Sequence, residues 1–157
     1  MYPEYIEIDG NEYKINTDYR VALSCFEAIN DISISDMERT IAIIVLLLGK
    51  NFPIEYADKV LDKLYKYLRC GKEQNQEDSE IDMDYEQDKR YIASSFMSRY
   101  HIDIDKEKMH WWLYNDLIEG FGEDDILSRV RYIRNLDIND FKDKKDKDKI
   151  KKAKSQV

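Results

Sequence analysis

Residues 35–49 read Ser-Asp-Met-Glu-Arg-Thr-Ile-Ala-Ile-Ile-Val-Leu-Leu-Leu-Gly, and they contain the strongest helix signal in the chain. Ser35 is followed three residues later by Glu38, which predicts a capping box, and Gly49 predicts the helix end. The eight residues 41–48 are all apolar, so the helix is apolar on every side. Such a helix is buried by its neighbours or covered by a partner. We therefore expect a mainly helical fold in which this helix is covered partly by the helices before and after it and partly by another chain.

Apolar periodicity predicts the remaining elements on both sides of this helix. Residues 5–15 alternate apolar and polar side chains around Asp9-Gly10-Asn11, which predicts a β-hairpin. Further helices are predicted at 18–30 with Thr17 as the cap, from Pro53 to Gly71, and at 84–100, 106–119 and 124–135. The predicted fold class is mainly α: an N-terminal β-hairpin followed by about six helices in a compact bundle, with a polar lysine-rich C-terminal tail.

Length and charge suggest one domain with a charged extension. The chain has 157 residues, a net charge of −8 and a mean hydropathy of −0.70. Residues 142–157 contain eight lysines and three aspartates, a net charge of +5, so the preceding 141 residues carry −13. We predict a single domain over 1–141, with an internal polar linker at 72–80, and a solvated tail over 142–157 that is flexible or partly helical.

Composition excludes several classes of protein. Two cysteines, Cys25 and Cys70, are too few for a disulfide framework and indicate a reducing compartment. The longest apolar run has eight residues, far fewer than the roughly 20 that a membrane helix needs. Acidic residues near the start argue against a secretory signal. The acidic balance argues against nonspecific nucleic-acid binding. We expect neither a membrane nor a nucleic acid as a partner.

Catalytic and metal-binding signals are weak. The two histidines, His101 and His110, and the two cysteines match no zinc-ligand spacing, so we expect no metal and no cofactor. Cys25 lies on the apolar stripe of the first helix, which favours a core residue over a reactive thiol. Two sets of charged residues remain, and each has a functional and a structural explanation. The acidic pairs Asp103/Asp105 and Asp124/Asp125 are candidate catalytic carboxylates, or else helix caps and solvated faces. The basic set Arg129, Arg131 and Arg134 is a candidate anion or nucleic-acid contact, or else a salt-bridge face.

The most distinctive segment is Met109-His-Trp-Trp-Leu-Tyr114. Helical spacing places His110 on the apolar face, where a hydrogen-bonded core histidine is expected, and Trp111 at its edge. Trp112 falls on the opposite, polar face. Either another element covers Trp112 and both indoles belong to the core, or Trp112 anchors a partner protein. Five candidate partner-binding residues follow from this block and from the apolar helix: Trp112, Trp111, Tyr114, Leu47 and Ile43.

Several motifs together resemble one family. They are Ile8-Asp9-Gly10, Tyr85-Glu-Gln-Asp88 before Ile92 and Phe96, Tyr100-His-Ile-Asp-Ile104, His110-Trp-Trp112 with Tyr114, Leu117-Ile118 and Gly120, and Arg131 with Arg134. Over most of residues 1–140 the chain resembles the small tail assembly chaperones encoded beside the tape measure gene in long-tailed phages of Gram-positive bacteria. Ile104 departs from the leucine that family members often have.

The resemblance implies a non-enzymatic role. Such chaperones bind the long helical tape measure protein, keep it soluble and help to recruit tail tube subunits. The resemblance thus implies the tape measure protein as a partner, the tail tube protein as a second one, action in the host cytoplasm and absence from the mature virion. Two alternatives stay open: a structural tail or connector protein retained in the virion, and a small enzyme or inhibitor of a host protein. Homo-oligomerisation also stays open.

Overall fold

The computed structural model describes residues 1–73 and 83–157. In these residues the predicted fold class is confirmed, because a two-stranded antiparallel hairpin is followed by seven α-helices. Most of the predicted linker, residues 74–80, lies outside the described residues. The chain divides into two compact units. Unit 1 is Met1–Asn75 with Lys108–Asp116, and unit 2 is Gln76–Glu107 with Leu117–Val157.

Unit 1 opens with the hairpin, β1 (Tyr5–Ile8) and β2 (Asn11–Lys14). Ile6 lies opposite Tyr13 and Ile8 opposite Asn11, which leaves a two-residue turn. Asp9 and Gly10 adopt φ angles of 50° and 81° in this turn. Positive φ at both central residues is the requirement of the tight hairpin turn that Asp-Gly favours. Ile6 and Ile8 are buried, so one face of the hairpin contributes to the core.

Three helices complete most of unit 1: α1 (Tyr19–Asn30), α2 (Asp36–Leu48) and α3 (Ala57–Leu68). A 3₁₀ turn, Ile54–Tyr56, precedes α3, so the α-helix begins four residues after the predicted Pro53. The predicted cap of α1 was wrong, because Asp18 and not Thr17 accepts the hydrogen bond from the Arg20 amide. α2 packs against both α1 and α3. The three helices bury a shared apolar core of Ala22, Cys25, Ile43, Ile44, Leu47, Val60, Leu64 and Leu68.

Helix α5 (Trp111–Glu119) is shorter than predicted. The pattern over 106–119 indicated one helix, but His110 forms an isolated antiparallel bridge with Asp18. The Tyr19 amide donates to the Met109 carbonyl at 2.9 Å, and the Trp111 amide donates to the Thr17 carbonyl at 2.7 Å. This pairing holds residues 109–110 in an extended conformation, so the helix starts only at Trp111.

Unit 2 contains α4 (Lys89–Tyr100), α6 (Ile126–Asn135), a 3₁₀ turn at Ile138–Asp140 and α7 (Lys144–Lys154). α4 starts five residues later than predicted, because residues 85–88 form turns. α4 packs against α6 through a core that includes Ile92, Phe96, Leu127 and Val130. The Ser95 hydroxyl accepts the Leu127 amide at 3.2 Å and so satisfies a free N–H at the start of α6.

Helix α7 lies in the predicted tail. It packs against α6 and the 3₁₀ turn, and the Lys154 ammonium donates to the Arg134 carbonyl at 2.8 Å. Ile150 and Ala153 are half-buried, whereas most of its lysines are exposed. The predicted solvated tail is therefore helical over residues 144–154, and two of its apolar residues are half-buried. The domain boundary itself stays a prediction.

Candidate partner-binding surface

Four of the five candidate residues lie in the core. Trp111, Tyr114, Leu47 and Ile43 are each at least 98% buried. They position surface elements and do not themselves form an open surface. Trp112 is half-buried. A role of these five residues in binding a partner stays a prediction.

The two indoles hold the C-terminus of α3. Trp111 Nε1 donates to the Leu68 carbonyl and Trp112 Nε1 donates to the Tyr67 carbonyl, both at 2.9 Å. Carbonyls in the last turn of a helix have no partner within the helix, so the two N–H groups act as caps. The Trp112 ring also stacks on the Tyr67 ring, with centroids 6.1 Å apart. These contacts agree with the alternative in which another element covers Trp112.

His110 makes structural hydrogen bonds, as predicted, but it is half-buried and precedes α5, so it does not lie in the core on the apolar face of that helix. Its Nδ1 accepts the Trp112 amide at 3.0 Å, and its Nε2 lies 2.9 Å from the Pro3 carbonyl. An accepting Nδ1 and a carbonyl beside Nε2 match the neutral tautomer with the proton on Nε2. The imidazole therefore caps α5 and ties the N-terminal residues to it.

The prediction that Cys25 belongs to the core is confirmed. Its side chain is fully buried, and burial raises the pKa of the thiol to about 12. Burial also raises the pKa of the half-buried Cys70 thiol to about 11. Both residues are therefore protonated thiols at neutral pH, the less nucleophilic form.

The charged sets of α6 have structural partners. Arg134 pairs with the buried Asp88, and Arg129 lies 3.7 Å from Asp124. The Asp125 carboxylate accepts the Gly122 amide at 2.6 Å and is itself buried. For these residues the salt-bridge and helix-cap interpretations agree with the structure.

Helix α2 carries an exposed apolar stripe; the all-round apolar run 41–48 indicated such a side, but the sequence did not identify Met37 as part of it. Ile41 is 41% exposed and Met37 is 74% exposed, while Val45 and Leu48 are half-buried. We call these four residues, Met37, Ile41, Val45 and Leu48, the α2 stripe. Their spacing of four, four and three residues places them along one side of the helix. A signal existed, because the apolar run 41–48 was too wide for one buried face.

The loop before α2 extends this apolar surface. Ile32 is 99% exposed between α1 and α2. Arg39 holds the loop, since its guanidinium donates to the Ala28 carbonyl at 3.2 Å and to the Asp31 carbonyl at 2.9 Å. Ile32 is therefore presented on a loop with fixed ends beside the N-terminal end of the stripe.

A shallow groove lies at the C-terminal end of the stripe. It has a volume of about 480 Å³, and one side is formed by the last residues of α2, including Val45, Leu46 and Leu48. Residues 14–17 form the other side, where Lys14 is the charged member of the lining. An apolar α2 wall opposite a lysine suits an apolar side chain near an acidic group.

The other large exposed apolar side chains in the described residues are scattered over several elements: Met1, Tyr5, Ile54, Met97, and Ile126 and Tyr132, which lie six positions apart on α6. Scattered exposed apolar residues are normal, whereas a contiguous set next to a groove indicates a binding surface. The α2 stripe is thus the best candidate surface in the described part of the chain.

Two searches of residues 1–73 and 83–157 were negative. No group of three or more His, Cys, Asp or Glu side chains is placed to hold a metal ion. No helix there has the length and apolar character needed to cross a membrane.

One comparison with known proteins gave a match. A family model described as bacteriophage Gp15 protein matches residues 2–157. Neither the curated proteins nor the solved structures gave a match.

Proposed function

The chain belongs to the bacteriophage Gp15 family, and from this premise we propose that it is a tail assembly chaperone that binds the tape measure protein. In this proposal it acts without catalysis in the host cytoplasm and is absent from the mature virion. The tail tube protein is a second proposed partner. The resemblance of the His110-Trp-Trp112 block to such chaperones, together with the α2 stripe, supports the proposal.

The α2 stripe is the observation that carries the proposal. A tape measure protein exposes long amphipathic helices until the tail tube polymerises around it. An amphipathic helix binds a partner by laying its apolar face along a complementary apolar surface. Three exposed apolar side chains, Ile32, Met37 and Ile41, lead to the groove beside Leu48 and offer such a surface.

The modest size of this surface fits a reversible chaperone. Val45 and Leu48 are half-buried already, so a bound helix gains little new contact from each of them. Interfaces at the small end of the size range are typical of weak, transient complexes. Many copies bound along a long client would protect it and still be displaced by tube subunits.

Co-expression tests the proposal directly. The tape measure protein of the same phage is produced alone and together with this chain, and the soluble fraction is compared before and after affinity capture of the chain. We expect the client to become soluble and to co-purify. A client that stays insoluble and does not co-purify would contradict the proposal.

The alternative of a structural tail or connector protein gives a different result in purified particles. Mass spectrometry of mature virions should detect a structural protein at stoichiometric level. A chaperone should be absent from them.

A further inference from the structure

Charges of opposite sign mark the two ends of the α2 stripe. Asp31, Asp36 and Glu38 are exposed around its N-terminal end. Arg39 lies among them and pairs with Asp36, which leaves that end negative. Lys14 and Lys50 are exposed around the C-terminal end. The stripe therefore has a negatively charged N-terminal end and a positively charged C-terminal end.

A surface with this direction is complementary to a second copy of itself turned end for end. In an antiparallel pair of α2 helices the acidic end of each copy meets the lysines of the other. A parallel pair would place like charges together and is disfavoured. Antiparallel helices also oppose their dipoles, with each positive N-terminus near a negative C-terminus.

The shapes of the two ends match in the same arrangement. Antiparallel packing about the middle of the stripe sets Met37 of one copy near Leu48 of the other, and Ile41 near Val45. Met37 is 74% exposed, and the groove of about 480 Å³ beside Leu48 is bounded by apolar residues of α2 on one side and by residues 14–17, three of them polar, on the other. A flexible methionine side chain adapts well to such a groove.

We propose that two copies of this chain associate through antiparallel α2 stripes, each placing Met37 in the groove beside Leu48 of the other. This interface is isologous, so it closes after two copies. The net charge of −8 on each chain opposes association, and the dimer is therefore weak and concentration-dependent. Its role is to cover the apolar stripe when no other protein occupies it.

Sedimentation of the purified full-length chain over a range of concentrations tests for the dimer. We expect Ile41→Glu to abolish association and Ile126→Glu to leave it intact, since Ile126 is equally exposed but lies on α6. Lys50→Glu should weaken association about threefold or more, because attraction at two symmetric sites becomes repulsion. Lys63→Glu makes the same change in net charge on the exposed side of α3 and should have a smaller effect.

Disulfide trapping tests the direction of packing. Met37→Cys and Leu48→Cys proteins are oxidised separately and as a mixture, with the wild type as the background for Cys25 and Cys70. Antiparallel packing predicts that the mixed disulfide exceeds both homodimeric ones.

A monomer at all concentrations, a dimer unchanged by Ile41→Glu, or a dominant Met37→Cys homodimer would each overturn the inference. No client is present in these experiments. Their failure would therefore leave the proposed function standing.

Discussion

The carboxylate of Asp88 receives two hydrogen bonds from the guanidinium of Arg134, at 2.6 and 2.7 Å. Asp88 is fully buried just before α4, and Arg134 lies in the last turn of α6. The same carboxylate accepts the Asp84 amide at 2.9 Å. One side chain thus organises the turn that leads into α4 and connects it to α6 within unit 2.

Removal of one partner of this pair should strongly destabilise unit 2. We expect Asp88→Asn to cost about 3–5 kcal/mol, because the Arg134 charge stays in a largely buried place without its partner. Urea denaturation followed by circular dichroism measures the loss. The double variant Asp88→Leu/Arg134→Met should recover part of it, since no buried charge remains. An Asp88→Asn variant with nearly the unfolding free energy of the wild type would contradict this role.

Trp111 and Trp112 should both contribute to stability, but by different amounts. Trp111→Ala should cost about 3–5 kcal/mol, since the ring is almost fully buried. Trp112→Ala should cost about 1–3 kcal/mol, because it removes a cap on Tyr67 and a half-buried ring. Chemical denaturation followed by circular dichroism compares the variants. A Trp112→Ala variant with the stability of the wild type would support the alternative in which Trp112 anchors a partner protein.

The N-cap of α2 should make stability depend on pH. Hydrogen bonds from the Ser35 amide and hydroxyl lower the pKa of Glu38 below its usual value. A lowered carboxyl pKa stabilises the fold above the unfolded pKa, and this contribution disappears as pH falls through the folded pKa. Ser35→Ala should cost about 1 kcal/mol at pH 7. Thermal melts of both proteins at pH 7 and pH 3 should show a smaller difference at pH 3.

Helix α7 should stabilise unit 2 modestly. Deletion of 144–157 removes the Lys154 bond to the Arg134 carbonyl and the half-buried Ile150. We expect the melting temperature to fall by about 2–4 °C for each kcal/mol of stability lost, the range for a chain of this length. Lys151→Ala, at an exposed position of the same helix, should change it little. An unchanged melting temperature after deletion would show that α7 contributes no stability.

Local signals in the sequence predicted much of the fold. Ser35, Glu38 and Gly49 delimit α2 because capping and helix termination depend on residues close together in the chain. The hairpin turn at Asp9-Gly10 depends on local backbone conformation in the same way. Cys25 was assigned to the core from the period of one helix.

Long-range contacts account for the errors. The bridge between Asp18 and His110 shortens α5, and residues 92 positions apart give no local signal. Asp88 and Arg134 were both noticed in family motifs, but their pairing over 46 positions was not predicted. Met37 was overlooked because polar neighbours surround it, whereas exposure depends on which side of α2 faces α1 and α3.

A comparison of Ile41→Glu with Ile126→Glu in tape measure binding decides whether the α2 stripe is the client-binding surface. The two isoleucines are 41% and 42% exposed on different helices, so the changes match in chemistry and exposure. Both variants should have the unfolding free energy of the wild type. Their affinity for the solubilised tape measure protein is then measured by titration. We expect Ile41→Glu to weaken binding about tenfold or more and Ile126→Glu to bind like the wild type. Equal binding by the two folded variants would contradict it.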